Sequence, residues 1–136
     1  MSEVLSSAVG APVTILVVDD DPDMRLLACA ILSSTGISVV GEAADGEEAL
    51  AQLRALDPPP VPTVVLLDNR MPGPSGLSVA ARLLAENPAQ LIVLFSAYLN
   101  EATIAEARRI GVAACVSKKQ VVELPDIIRD LVAARG

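Results

Sequence analysis

The sequence predicts a three-layer α/β fold, a five-stranded parallel sheet covered by helices on both faces, and three observations carry that reading. Short unbroken runs of Val, Ile and Leu at residues 15–18, 64–67 and 91–95, with a weaker run at 113–116, have the composition of strands buried on both sides. Segments that open on helix-capping residues lie between them, so strand and helix alternate along the chain. Finally, each run stops at a reactive group: Asp19-Asp20-Asp21, Asp68, Ser96 and Ser117-Lys118. In open parallel sheets the ligand site lies outside the carboxyl ends of the strands. Carboxylates, a hydroxyl and an amine are thus expected to gather at one rim.

Residues 1–12 are small and polar, end in Gly10-Ala11-Pro12, and are expected to form a flexible tail before a single domain at 13–136. The first strand is expected at 13–18. Asp21-Pro22 then reads as an N-cap with proline at the first helical position, opening a helix that runs to about Thr35 before Gly36. A second strand is expected at 37–41. Asp45-Gly46-Glu47-Glu48 has the form of a capping box, opening a helix that carries Ala49, Leu50 and Leu53.

Asp57-Pro58-Pro59-Pro60-Val61-Pro62 reads as a stiff surface connection, since the strand–helix pattern resumes at once. The third strand ends at Asp68, and a loop containing Pro72, Gly73, Pro74 and Gly76 leads into a helix from about Ser75 to Glu86. The fourth strand occupies 91–95. Asn100 is placed to cap a helix that Gly111 ends. The fifth strand falls at 113–117, and Pro125-Asp126 begins a closing helix through Ala133. Five strands and five helices in alternation call for right-handed crossovers. The flavodoxin-like strand order 2-1-3-4-5 is the common solution at this size, and it sets the first and third strands side by side at the switch point.

Composition narrows the function. The chain has 136 residues, over half of them hydrophobic, enough for one well-filled core. A net charge of -7 with no basic stripe argues against nucleic-acid binding. The absence of histidine removes most zinc sites and any Ser-His or Cys-His pair. Cys29 and Cys115 have no disulfide-framework spacing and suit a reducing compartment. No apolar stretch is long enough to span a membrane, and Glu3 with no basic start is unlike a secretion signal. A cytoplasmic location is expected.

Asp19, Asp20 and Asp68, brought within a few Å, would raise one another's pKa unless a cation sat among them. Hard oxygen donors alone suit magnesium. Asp20 and Asp68 are the expected direct ligands, with Asp19 acting directly or through water and the backbone carbonyl of Arg70 completing the set. Asp21 is assigned only the helix cap. An aspartate can accept a phosphoryl group as an acyl phosphate, and Asp68, alone at the end of the central strand, is the natural acceptor. Lys118 supplies an amine able to clamp a phosphoryl oxygen, its strand-end position favouring it over Lys119. Ser96 offers a hydroxyl donor.

The chain resembles the response-regulator receiver family. The resemblance rests on Ile15-Leu16-Val17-Val18-Asp19-Asp20-Asp21, Leu67-Asp68 followed by Met71-Pro72 and Gly76, Ser96-Ala97, and Lys118. It implies that Asp68 takes phosphate from the phosphohistidine of a histidine kinase or phosphotransfer protein with Mg2+ present. Asp19 and Asp20 would form the acidic pocket, and Ser96 and Lys118 would report the phosphate. It also implies an output face of fourth helix, fifth strand and fifth helix, serving a homodimer or an output protein. The sequence holds no DNA-reading element, and a stand-alone receiver and one separated from a DNA-binding output domain both stay open. Arg25 fits a position where the family often has arginine, and equally fits a solvated helix charge.

Two departures stand out. Cys115 occupies the fifth-strand position where the family commonly has Tyr or Phe, so switching is expected to use Ser96, Ala97 and the loop carrying Tyr98. Lys119 stands where many members have a cis-proline, while Leu124-Pro125-Asp126 resembles receivers that precede helix-turn-helix domains. Arg70 and Tyr98, each two residues past a rim residue, are expected to obstruct the hydrolytic water and to prolong the phosphoryl state. The alternatives are a receiver-shaped binding module without phosphorylation and an aspartyl-phosphate phosphatase, which would need an acid where Arg70 stands.

Overall fold

The computed structural model describes residues 13–56 and 63–135. The expected tail at 1–12 and the proline-rich connection at 57–62 lie outside the described residues. Five strands, β1 (Thr14–Val18), β2 (Ser38–Ala43), β3 (Thr63–Leu67), β4 (Leu91–Ser96) and β5 (Ala114–Ser117), form one parallel sheet in the order β2-β1-β3-β4-β5. The helices are α1 (Pro22–Ser34), α2 (Gly46–Ala55), α3 (Gly76–Glu86), α4 (Glu101–Ile110) and α5 (Leu124–Arg135). The three-layer flavodoxin-like arrangement and its strand order are as the sequence predicts.

Alternation along the strands divides the core in two. Ile15 and Val17 of β1 join Val64, Leu66, Val93, Phe95 and Val116 beneath Leu32 of α1 and Ile128 of α5. Leu16 and Val18 turn the other way and meet Val65, Leu67, Leu50 of α2 and Leu83 of α3. With both faces covered, every residue of β1 is buried, which is why the strands read as continuous apolar runs.

Caps form at the helix starts, those at Asp21, Asp45 and Asn100 as expected. Asp21 accepts from the N–H of Asp23, Asp45 from Glu48, Ser75 from Ser78 and Asn100 from Thr103. Gly111 closes α4 in the left-handed conformation at φ 110°. The Glu48 carboxylate reaches back to the N–H of Ala44, one residue before the N-cap.

Two elements differ from expectation. β2 runs through Glu42 and Ala43 instead of stopping at Gly41. A bulge against β1 between Ile15 and Leu16 absorbs one residue, so Gly41 sits inside the strand rather than at its end. A 3-10 turn over Lys118–Glu123 precedes α5, which starts at Leu124, one residue before the expected Pro125. Six residues are too few to show a helical period. They are held by a capping box in which Ser117 accepts from Lys119 N–H while Gln120 accepts from Ser117 N–H. Proline at 119 would lack that donor.

Candidate functional site

The sheet order brings the ends of β1 and β3 together, and the ladder continues one step past each strand. Asp19 N–H donates to Ala43 O and Asp68 N–H to Val18 O, both at 2.9 Å. Asp19 and Asp68 are thereby fixed at the rim and buried, at 3% and 5% exposure, while Asp20 is exposed. Carboxylate oxygens of the three lie within 4.8 Å of one another. The loop below is packed tightly: Gly76 N–H donates to Asn69 O, and a Cβ on Gly76 would stand 2.2 Å from Asp68 O. Only glycine allows α3 to start this close to the Asp68 backbone.

Lys118, carried in from the end of β5, enters the cluster. Its Nζ lies 2.7 Å from Asp19 Oδ2 and 3.4 Å from Asp68 Oδ1. The nearer partner is therefore Asp19. Asp19 Oδ2 is buried, and the Lys118 ammonium ion-pairs with it. Asp19 Oδ1 accepts from Asp21 N–H at 2.9 Å. Burial pushes the Asp68 carboxyl above its usual range, and the charge of Asp19 adds to this. Lys118 and the N–H of Arg70 pull it back only in part. Burial works against the Lys118 ammonium, but contact with Asp19 and the attraction of Asp68 outweigh it and hold its pKa above the usual value.

Ser96 reaches the same rim at the end of β4, opposite Ser117, and is buried. Its Oγ accepts from Tyr98 N–H at 3.2 Å. Tyr98 is 63% exposed, and the Arg70 guanidinium lies over its ring, 4.2 Å from the centroid. Cys115 is a half-buried free thiol, its pKa raised by burial and pulled down by Arg108. Arg25, which sequence left between two readings, donates from Nη1 to Asp19 O at 2.6 Å and from Nε to Glu42 at 3.1 Å. Glu42 had drawn no attention in the sequence, because its contact depends on the bulge in β2.

The residues present fit a divalent cation. Three carboxylates face one ammonium, and the donors are hard oxygens only, the set that magnesium prefers.

Comparison with known proteins agrees with this geometry. The profile described as response regulator receiver domain matches residues 15–129. The chain belongs to this receiver family. The receiver is 40% identical over 111 residues to a protein-glutamate methylesterase/protein-glutamine glutaminase of Rhizobium etli, covering 79% of this chain and 30% of that protein. It is 36% identical over 101 residues to the nitrate/nitrite response regulator protein NarL of Escherichia coli, covering 74% of this chain and 45% of that protein. The crystal structure of the response regulator domain of Thermotoga maritima CheB superposes with a TM-score of 0.78 at 26% identity, over 90% of this chain and 98% of that one. The receiver spans less than half the length of both curated relatives. Among the described residues no helix is long and apolar enough to cross a membrane.

Proposed function

We propose that this receiver is a phosphoacceptor of a two-component relay, with Asp68 taking a phosphoryl group from the phosphohistidine of a sensor kinase or phosphotransfer protein. The observation that carries the reading is the convergence of Asp19, Asp20 and Asp68 within 4.8 Å, with Lys118 bridging the two buried acids. An oxygen of Asp68 would bond to phosphorus as the P–N bond breaks, and the imidazole would leave with the electron pair. Magnesium bound by Asp19, Asp20, Asp68 and the Arg70 carbonyl would neutralise charge on the transferring oxygens. Lys118 orients the acceptor carboxylate and stands ready for a phosphoryl oxygen. Ser96 would exchange its bond with Tyr98 N–H for one to the phosphoryl group, moving the β4–α4 loop and with it the face formed by α4, β5 and α5.

That face would serve a homodimer or an output protein, and a kinase-fed receiver of this kind works in the cytoplasm, where the free thiols of Cys29 and Cys115 stay reduced. The methylesterase activity in one relative's name is not carried over, because the chain spans 30% of that protein. A phosphatase would need an acid where Arg70 covers Tyr98.

Intact-mass measurement after incubation with acetyl phosphate and Mg2+ tests the reading. The expected result is one added phosphoryl group on the natural chain and none on Asp68→Asn. An unmodified natural chain would leave a receiver-shaped binding module in its place.

A further inference from the structure

We infer that Arg25 and Glu42 are positioning residues for the acidic pocket: Arg25 fixes the peptide joining Asp19 to Asp20, and Glu42 fixes Arg25. The inference rests on the proposed magnesium site. A guanidinium is planar and presents its donors in a rigid fork, so anchoring Nε on Glu42 sets the direction of Nη1 toward Asp19 O. Asp19 is already held at its N–H by Ala43 O and at Oδ1 by Asp21 N–H. With its carbonyl also held, the plane of the 19–20 peptide is determined. Asp20, the exposed member of the three, projects from that plane. Arg25 thereby governs where the exposed member of the expected ligands stands.

Glu42 is placed with equal care. The bulge at Ile15/Leu16 pairs Glu42 with Val17, and the Gln52 side-chain amide donates to the Glu42 carbonyl from the opposite layer. A Cβ at Gly41 would stand 2.2 Å from Gln52 Oε1, so glycine there lets Gln52 cross the edge strand. The ion pair itself is part-exposed, at 21% for Arg25 and 49% for Glu42, and contributes little to global stability. Its consequence is geometric. The sign of the effect is diagnostic: charge alone would make Arg25 repel a cation, whereas positioning makes its loss weaken the binding of one.

Calorimetric titration of Mg2+ into the full chain tests this, alongside Arg25→Met, Arg25→Lys, Glu42→Gln and the double variant Arg25→Met/Glu42→Gln. The expected result is a Kd raised about five- to tenfold in Arg25→Met, the scale of one net hydrogen bond. Arg25→Lys is not expected to restore affinity, since a single ammonium lacks the fork, and the double variant binds no more weakly than Arg25→Met. Unchanged affinity, even with a lowered Tm, would show a purely structural role and overturn the inference, as would tighter binding, the signature of charge alone. Should Arg25→Met fail to fold, Glu42→Gln decides, because it leaves Arg25 in place but undirected. Failure of the underlying site is seen separately: a natural chain that takes up no Mg2+, or an Asp20→Asn chain that binds as well as it, removes the magnesium reading and this inference together.

Discussion

The Arg70 guanidinium rests on the Tyr98 ring at 4.2 Å, tying the loop after β3 to the loop after β4. Such a contact is worth about 0.5–1 kcal/mol at an exposed site, enough to bias two loops toward a closed arrangement over the rim. Either Arg70→Ala or Tyr98→Ala should therefore shorten the life of the phosphorylated receiver severalfold. The double variant should decay no faster than the faster single one, since each change breaks the same contact. Following loss of the phosphoryl mass with time checks this. Decay rates that neither substitution alters would contradict the lid.

Two buried carboxylates beside one ammonium make the metal-free pocket a liability. The Asp68 pKa stands above its usual 3.8, first because of burial and then because of Asp19. A group raised on folding costs stability once it ionises, so its contribution is lost as pH climbs from about the usual value through the raised one. Asp68→Asn should accordingly raise the Tm of the metal-free chain at neutral pH. Mg2+ should raise the Tm of the natural chain more than that of the variant. Melting curves with EDTA and with Mg2+ decide the matter, and a lower Tm for metal-free Asp68→Asn would refute the account.

Lys118 carries the opposite sign. Its pKa is held above the usual 10.5 by Asp19 and Asp68 despite burial, so while those acids are ionised it stabilises the fold below that pH, and the support fades as pH climbs from there through the raised value. Lys118→Met leaves both acids buried without their cation. We expect a loss of about 3 kcal/mol in the absence of metal, partly recovered by Mg2+. Urea unfolding with and without Mg2+ measures both quantities.

Gly76 faces the Asp68 backbone, where a Cβ would come within 2.2 Å of a carbonyl oxygen that cannot swing aside. Gly76→Ala should cost about 1–3 kcal/mol and slow modification by acetyl phosphate by displacing Asp68. A variant with unaltered denaturation midpoint and labelling rate would show that the loop yields freely.

Much of this receiver was legible in the linear order of residues, because the signals involved are local. Strands buried on both faces must be apolar throughout, and caps such as Asp21, Asp45 and Asn100 must sit beside the N–H groups they satisfy. The acids at 19, 20 and 68 were legible as a set because parallel topology sends strand ends to one rim. Contacts that depend on how elements meet were not. The preference of Lys118 for Asp19 over Asp68 follows from the path of the chain leaving β5. The reach of Arg25 to Glu42 requires a one-residue bulge in an edge strand, which no periodicity announces. Sequence alone determined which groups would assemble, through burial and capping. Tertiary structure decided which of them touch, because a shift of a single residue in strand register chooses the partner.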